Sequence, residues 1–185
     1  IRSFVSEGPD IVVTPAEHKG RGVLHSHSFY EIVYVAEGFT LHQSCGRITM
    51  LITGDFFFVK PGEVHSYINA YQTKLYNLLF VPAALGDSFS ALSALPGLDE
   101  MFSPSGESLD PTHRLLHVSI GERRNIESAL EKMIGERENK NVGWEVSLGA
   151  RLTSLLIKYA RMYDEQYDEH SAGGKKRADN DYYGY

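Results

Sequence analysis

The stretch LHSHSFYEIVYVAEG, residues 24–38, places His25, His27 and Glu31 within seven positions and then runs through apolar residues to a glycine. Side chains on a β-strand alternate faces, so residues two apart point the same way. In extended form the stretch sets His25, His27 and Glu31 on one face with Val33 and Val35. Ile32, Tyr34 and Ala36 line the other. Buried imidazoles and carboxylates must be paired, and residues on one face can satisfy one another.

The flanking sequence repeats this texture. From Asp10 to Pro82 it reads as short strands separated by turn signals every ~8–12 residues, the pattern of a β-sandwich or barrel. The expected strands are Ile11–Thr14, Gly22–His27, Tyr30–Glu37, Phe39–Ser44, Arg47–Leu51, Asp55–Val59, His65–Asn69 and Lys74–Val81. Gly38, Cys45-Gly46, Thr53-Gly54, Pro61-Gly62 and Pro82 punctuate them. Strands this short bury their apolar faces only against a second sheet or by closure.

After Pro82 the segment PAALGDSFSALSALPGLDEMF suits short helices or a packed loop, and HRLLHVS, from His113, suits one returning strand. Ser119 and Glu122 have the spacing of a capping box, which starts a helix from about Ile120 to Glu138. A second helix is expected from Trp144 to about Tyr167. Leu148, Leu152, Leu155, Tyr159 and Met162 recur along it at steps of four and three. That seam can pack on its own barrel or on a second copy. From Asp168 the chain turns polar, ending HSAGGKKRADNDYYGY, and reads as a linker. The expected organisation is residues 1–118 as barrel and amino-terminal arm, 119–167 as helical segment and 168–185 as linker.

Composition narrows the function classes. With 42% hydrophobic and 23% charged residues among 185, the chain has a globular balance. No apolar run nears the ~20 residues needed to cross a bilayer. The start at Ile1 shows neither the basic nor the apolar region of a secretory leader. A net charge of −6 disfavours nucleic-acid binding by this segment, because phosphate contact needs a concentrated basic face. Cys45 is the single cysteine, which excludes an internal disulfide and a cysteine-based zinc cluster and fits a reducing compartment. Within SCGR it reads as a hairpin residue rather than a nucleophile.

A second cluster, GDFFFVKPGEVHSYIN, residues 54–69, adds His65. His25, His27, Glu31 and His65 together are a nitrogen and carboxylate donor set that suits zinc, iron, manganese, nickel or copper. Three readings stay open: a bound metal, a metal-free pocket that hydrogen-bonds sugar hydroxyls, and a self-satisfied structural network. Tyr67 and Asn69 share strand parity with His65 and would add hydrogen bonds within the barrel. Tyr30 and Tyr34 have the opposite parity and should pack against helices. Phe56, Phe57 and Phe58 read as buried strand, and Trp144 as a helix anchor rather than a ligand platform. His18, His42, His113 and His117 have no partner in the sequence and read as surface or strand residues.

These two clusters resemble the two motifs of the cupin superfamily. His25, His27, Glu31 and Gly38 match the first, although Gly20 lies one position nearer than the motif's leading glycine. Gly54, Gly62, His65 and Asn69 fall in register with the second, with Pro61 displaced toward Gly62. With YNLLFVP and the helices behind it, the chain is similar to the amino-terminal half of AraC/XylS-family transcription regulators, nearest to the rhamnose-operon activators. The resemblance implies a mostly β fold, a cupin (double-stranded β-helix, jelly-roll) barrel followed by a two-helix extension. It implies a small effector, typically a sugar, bound in the barrel beneath an amino-terminal arm by His25, His27, Glu31, His65, Tyr67 and Asn69. The cupin ligand positions admit one divalent transition metal, Zn, Ni, Mn or Fe, on His25, His27, Glu31 and His65. It further implies a cytoplasmic homodimer joined through the helices, with no catalytic residue and no membrane contact. Nothing after Tyr167 has the periodicity of helix-turn-helix units, so DNA contact is expected through a domain outside this chain. The competing expectation is a small metal-dependent cupin enzyme, a sugar isomerase or dioxygenase, in which the metal acts as Lewis acid or oxygen activator.

Overall fold

A computed structural model describes residues 2–4, 11–44, 46–103 and 115–172. Eight strands precede or border the helices: β1 Arg2–Phe4, β2 Ile11–Gly20, β3 His25–His27, β4 Tyr30–Ser44, β5 Arg47–Ile52, β6 Asp55–Val59, β7 His65–Phe80 and β8 Leu115–His117. A 3-10 turn at Pro82–Leu85 and two short helices, α1 Ser88–Leu92 and α2 Leu98–Phe102, follow β7. Two long helices, α3 Ile120–Asn139 and α4 Trp144–Ala172, end the described chain. The architecture is cupin-like, an almost wholly antiparallel sheet with two carboxy-terminal helices, as the sequence implied.

The sheet runs β1-β3-β7-β4-β6-β8, with β2 on β7 and β5 on β4. Its spine is formed by two long strands, β4 and β7, that were expected as four short ones. Residues 30–35 of β4 pair with β7, and 31–34 of them also with β6, while residues 39–44 pair with β5 and β7. Gly38 therefore marks an irregularity inside a continuous strand rather than its end. Its φ of +84° suits glycine, and the register shifts on either side of it. In β7, Gln72 at φ +45° plays the corresponding part. A bend absorbed by a bulge keeps the ladder intact where a turn would break it.

Parity divides the two cores as the opening stretch predicted. Val33, Val35, Leu51, Phe57, Val59, Tyr67 and Leu75 form the inner cluster. Tyr30, Ile32, Tyr34, Phe56, Phe58, Leu78 and Phe80 face the other way and pack beneath Ile126, Leu130 and Met133 of α3 and Leu148, Leu152, Leu155, Leu156 and Tyr159 of α4. The three consecutive phenylalanines are all buried because β6 is covered on both faces. Tyr34 also donates from its hydroxyl to Glu127 of α3, 3.1 Å away. Trp144 is partly buried against the same core, under Lys140, in keeping with an anchor.

Two helical expectations change. Helix α3 starts at Ile120 as expected, but Ser119 makes no side-chain cap and the capping box does not form. Glu122 instead accepts from Lys158 Nζ of α4 and from Asn125, because an ammonium across the helix pair outcompetes the neutral amide of the cap. The seam of α4 is used within the chain: Leu148, Leu152, Leu155 and Tyr159 are buried on the barrel, and Met162 is partly buried beside them. Helix α4 runs five residues past the expected end, to Ala172. The linker from 173, Cys45 and His113 lie outside the described residues.

Candidate functional site

Chain connectivity explains how the polar residues meet. Strand β3 is only three residues long and pairs with β7 through His25 opposite His65. The Gly62 amide donates to the His27 carbonyl at 2.7 Å, pinning the turn that delivers His65 to the strand that carries His27. Glu31 enters from the start of β4, on the inner face with Val33. Nε2 of His27, the Glu31 carboxylate and His65 offer donor atoms that all lie within 4.8 Å of one another. All three residues are buried: His27 is 4% exposed, Glu31 5% and His65 0%.

Hydrogen bonds fix which atoms face inward. His27 Nδ1 lies 2.7 Å from the Phe29 carbonyl and His25 Nδ1 lies 2.8 Å from the Val23 carbonyl. A carbonyl only accepts, so both Nδ1 atoms carry protons and donate. His27 Nε2 then sits 3.0 Å from Glu31 Oε2, and His65 Nε2 sits 3.6 Å from the same oxygen. An imidazole lone pair facing a carboxylate needs a positive charge between or upon them, supplied by a second proton or a cation. Burial drives the pKa of His65 down to about 3, against the opposing pull of Glu31, so its ring is neutral at ordinary pH. A neutral imidazole is the form that ligates metal. The buried triad could therefore hold a metal ion, and its donors fit zinc, nickel, manganese or iron.

The remaining predicted residues separate. His25 is only half-buried and stands at the edge of the triad, its ring centroid 4.2 Å from that of His65 and 6.2 Å from that of His27. Tyr67 is buried in the inner cluster, and burial together with Glu31 pushes its hydroxyl well above the usual tyrosine range, so it stays protonated. Asn69 is exposed. The register steps from His42↔Tyr67 to Leu41↔Asn69, so Ile68 is an extra residue that reverses the parity beyond it. Asn69 is thus not brought to the triad.

Three residues were missed or misjudged. His42, read as a partnerless surface or strand residue, is fully buried on β4, with Nε2 3.0 Å from His65 Nδ1. His117, read the same way, donates from Nδ1 to Asp55 at 2.6 Å and accepts from Arg123, tying β6, β8 and α3 together. The side chain of His18 lies outside the described residues. Asn77 pairs with Val33 and so shares the inner face, and its buried Oδ1 has no hydrogen-bond partner among the described residues. The signal for Asn77 was a single carboxamide in the apolar run YNLLFVP. An open cavity of about 430 Å³ is lined by Leu24, Gln43, Gly46, Gly62, Glu63 and Val64, of which Leu24 and Val64 are the chain neighbours of His25 and His65. Its volume lies in the ~300–1,000 Å³ range of small-ligand sites.

The chain is 27% identical over 141 residues to the HTH-type transcriptional activator RhaR of Klebsiella pneumoniae subsp. pneumoniae, covering 76% of this chain and 48% of that protein. It is 29% identical over 133 residues to RhaR of Escherichia coli, covering 72% and 42%. The chain thus spans about half the length of these relatives. A solved structure of an uncharacterised Klebsiella pneumoniae protein with a double-stranded β-helix domain is similar at 27% identity and a TM-score of 0.37, over 43% of this chain and 75% of that one. Residues 9–156 match the AraC-like ligand binding domain, so the chain belongs to that family.

Proposed function

We propose that this chain is the effector-sensing and dimerisation part of a cytoplasmic AraC-family transcription regulator, contacting DNA only through a domain outside residues 1–185. Residues 1–118 serve as the sensing barrel, 119–167 as the helical segment and 168–185 as the linker, into whose first residues helix α4 continues as far as Ala172. The effector is a small polar molecule, of which a sugar best suits hydroxyl-binding imidazoles and a carboxylate. The observation that carries this reading is the buried contact of His27 Nε2 with Glu31 Oε2, 3.0 Å apart, with Nδ1 of His27 already engaged. A second proton on the ring or a cation between the two groups completes such a contact.

His27, Glu31 and His65 would hold a divalent metal, with His25 as a fourth ligand at the edge. When bound, the metal supplies a Lewis-acidic anchor for an effector oxygen. Tyr67 keeps a hydroxyl donor in the inner cluster, and the buried rings exclude water from the triad. Asn69 belongs to this reading only as a residue outside the centre. The second copy docks elsewhere than on the α4 seam, which the barrel already covers. The effector must bind one arrangement of the two copies better than the other, since equal affinity shifts nothing.

The same donors would serve a small metal-dependent cupin enzyme. Family membership and two long helices packed on the barrel favour the sensor. Calorimetry of the metal-free and the zinc- or nickel-loaded chain against pentoses, deoxyhexoses and uronates tests the proposal. Saturable heat without turnover supports a sensor. Absence of heat in both forms overturns the sugar reading, and product formation transfers the site to the enzyme.

A further inference from the structure

We infer that His42 is the positioning residue of this centre, fixing the tautomer in which His65 presents a bare nitrogen to the triad. The inference rests on the proposed reading of His27, Glu31 and His65 as a metal site. Around the centre, each imidazole is held from outside through Nδ1. His25 and His27 donate to the backbone carbonyls of Val23 and Phe29. His65 is different: its Nδ1 meets a side chain, Nε2 of His42, at 3.0 Å. A backbone carbonyl enforces one tautomer, whereas a histidine accepts or donates according to its own proton. The tautomer of His65 is therefore written by residue 42.

If His65 donates from Nδ1 to His42, its Nε2 lone pair points toward Glu31 Oε2, 3.6 Å away, where that nitrogen has no hydrogen-bond partner among the described residues. With the proton on Nε2 instead, it would turn a donor toward Glu31 and close the triad to a cation. His42 is itself immobilised: it is fully buried, its ring 4.6 Å from Phe57 and 5.4 Å from Tyr67, and its backbone paired to Tyr67. Outer partners of metal-ligating histidines typically change metal affinity about 10–100-fold.

The test uses the full chain and zinc(II) or cobalt(II) as probe. His42→Phe keeps the ring and its packing but removes the acceptor, while His42→Gln restores a carbonyl acceptor. Affinity is read by competition with a chelator, and the His65 tautomer by long-range 1H–15N correlation in the metal-free chain. The expected result is the Nδ1–H tautomer in the wild type, about tenfold or greater loss of affinity in H42F, and partial recovery in H42Q. Equal affinity in wild type and H42F, or an Nε2–H tautomer in the wild type, overturns the role of His42 alone. If H42F fails to fold, the wild-type tautomer and the affinity of H42Q decide. A wild type that binds neither metal overturns both this role and the metal reading beneath it.

Discussion

Glu31 stands 3.0 Å from Nε2 of His27 while the other nitrogen of that ring is 2.7 Å from the carbonyl of Phe29. Both ring nitrogens thus face acceptors inside the protein, and the carboxylate charge is what would draw a cation to this point. Glu31→Gln removes the charge and turns a potential amide donor toward His27. The variant should lose at least about tenfold in zinc or nickel affinity. Its melting temperature, measured without metal, should be no lower than that of the wild type, since a buried charge has been relieved. Metal-to-protein ratios after dialysis and thermal melts with and without chelator check both halves.

His65 gives the metal-free protein a pH signature. Its folded pKa, pushed to about 3 by burial, lies below the ~6.5 of an unfolded histidine. Between those values the unfolded chain takes up a proton that the folded chain refuses, so stability falls as pH falls through this window. The limiting slope is about 1.4 kcal/mol per pH unit. Urea denaturation of chelator-treated protein from pH 7 to pH 4 should show it, and His65→Asn should flatten the curve by up to that slope. An unchanged slope in the variant would assign the acid sensitivity to other groups.

How far the site was legible follows from the distance over which each signal acts. His25, His27 and Glu31 declared themselves because parity operates within a few residues, and Val33 and Ile32 fell on opposite cores as that parity required. Asn69 broke the same rule because Ile68 is inserted between it and Tyr67, and a bulge leaves no mark in a sequence without glycine at that point. His42 and His117 were illegible for another reason. Their partners, His65 and Asp55, lie 23 and 62 residues away and are brought near only by strand pairing. The capping box failed because Lys158, 36 residues on, claims Glu122.

Gly38 carries a strict backbone demand. At φ +84° an added Cβ would stand 2.4 Å from the backbone oxygen of Gln72 and 2.8 Å from that of Tyr71, and backbone atoms cannot turn aside. Gly38→Ala should cost roughly 2 kcal/mol or more through left-handed strain and displacement of β7. Gly46, also at positive φ but with open space around it, serves as the control. Gly46→Ala should cost less than Gly38→Ala in the same chemical denaturation series.

Acid should loosen the helix pair independently of the triad. Hydrogen bonds from Lys158 and Asn125 hold the Glu122 carboxyl below its ordinary pKa, and Ser147 and Arg151 do the same for Glu136. A carboxylate with a lowered folded pKa stabilises the fold above its unfolded value, and that contribution disappears as pH falls through the folded value. Both groups are half-buried at the surface and reached by water, so solvent screening keeps the effect small. The double variant E122Q/E136Q should be less stable than wild type near pH 7, and the two should converge below the usual carboxylate range.

Leu152 separates the two uses open to the α4 seam. It is fully buried against the barrel core in a single chain, together with Leu148, Leu155 and Tyr159. Truncation to alanine then removes packing inside one copy, and Leu152→Ala should cost about 2–5 kcal/mol whatever the protein concentration. Were the seam a contact between copies, the same change would weaken association, and its cost would grow on dilution as mass action requires. Denaturation midpoints at two concentrations a hundredfold apart, alongside sedimentation of the folded protein, distinguish these outcomes. A loss independent of concentration, with unchanged sedimentation, assigns the seam to the barrel and leaves any second copy to dock on another face.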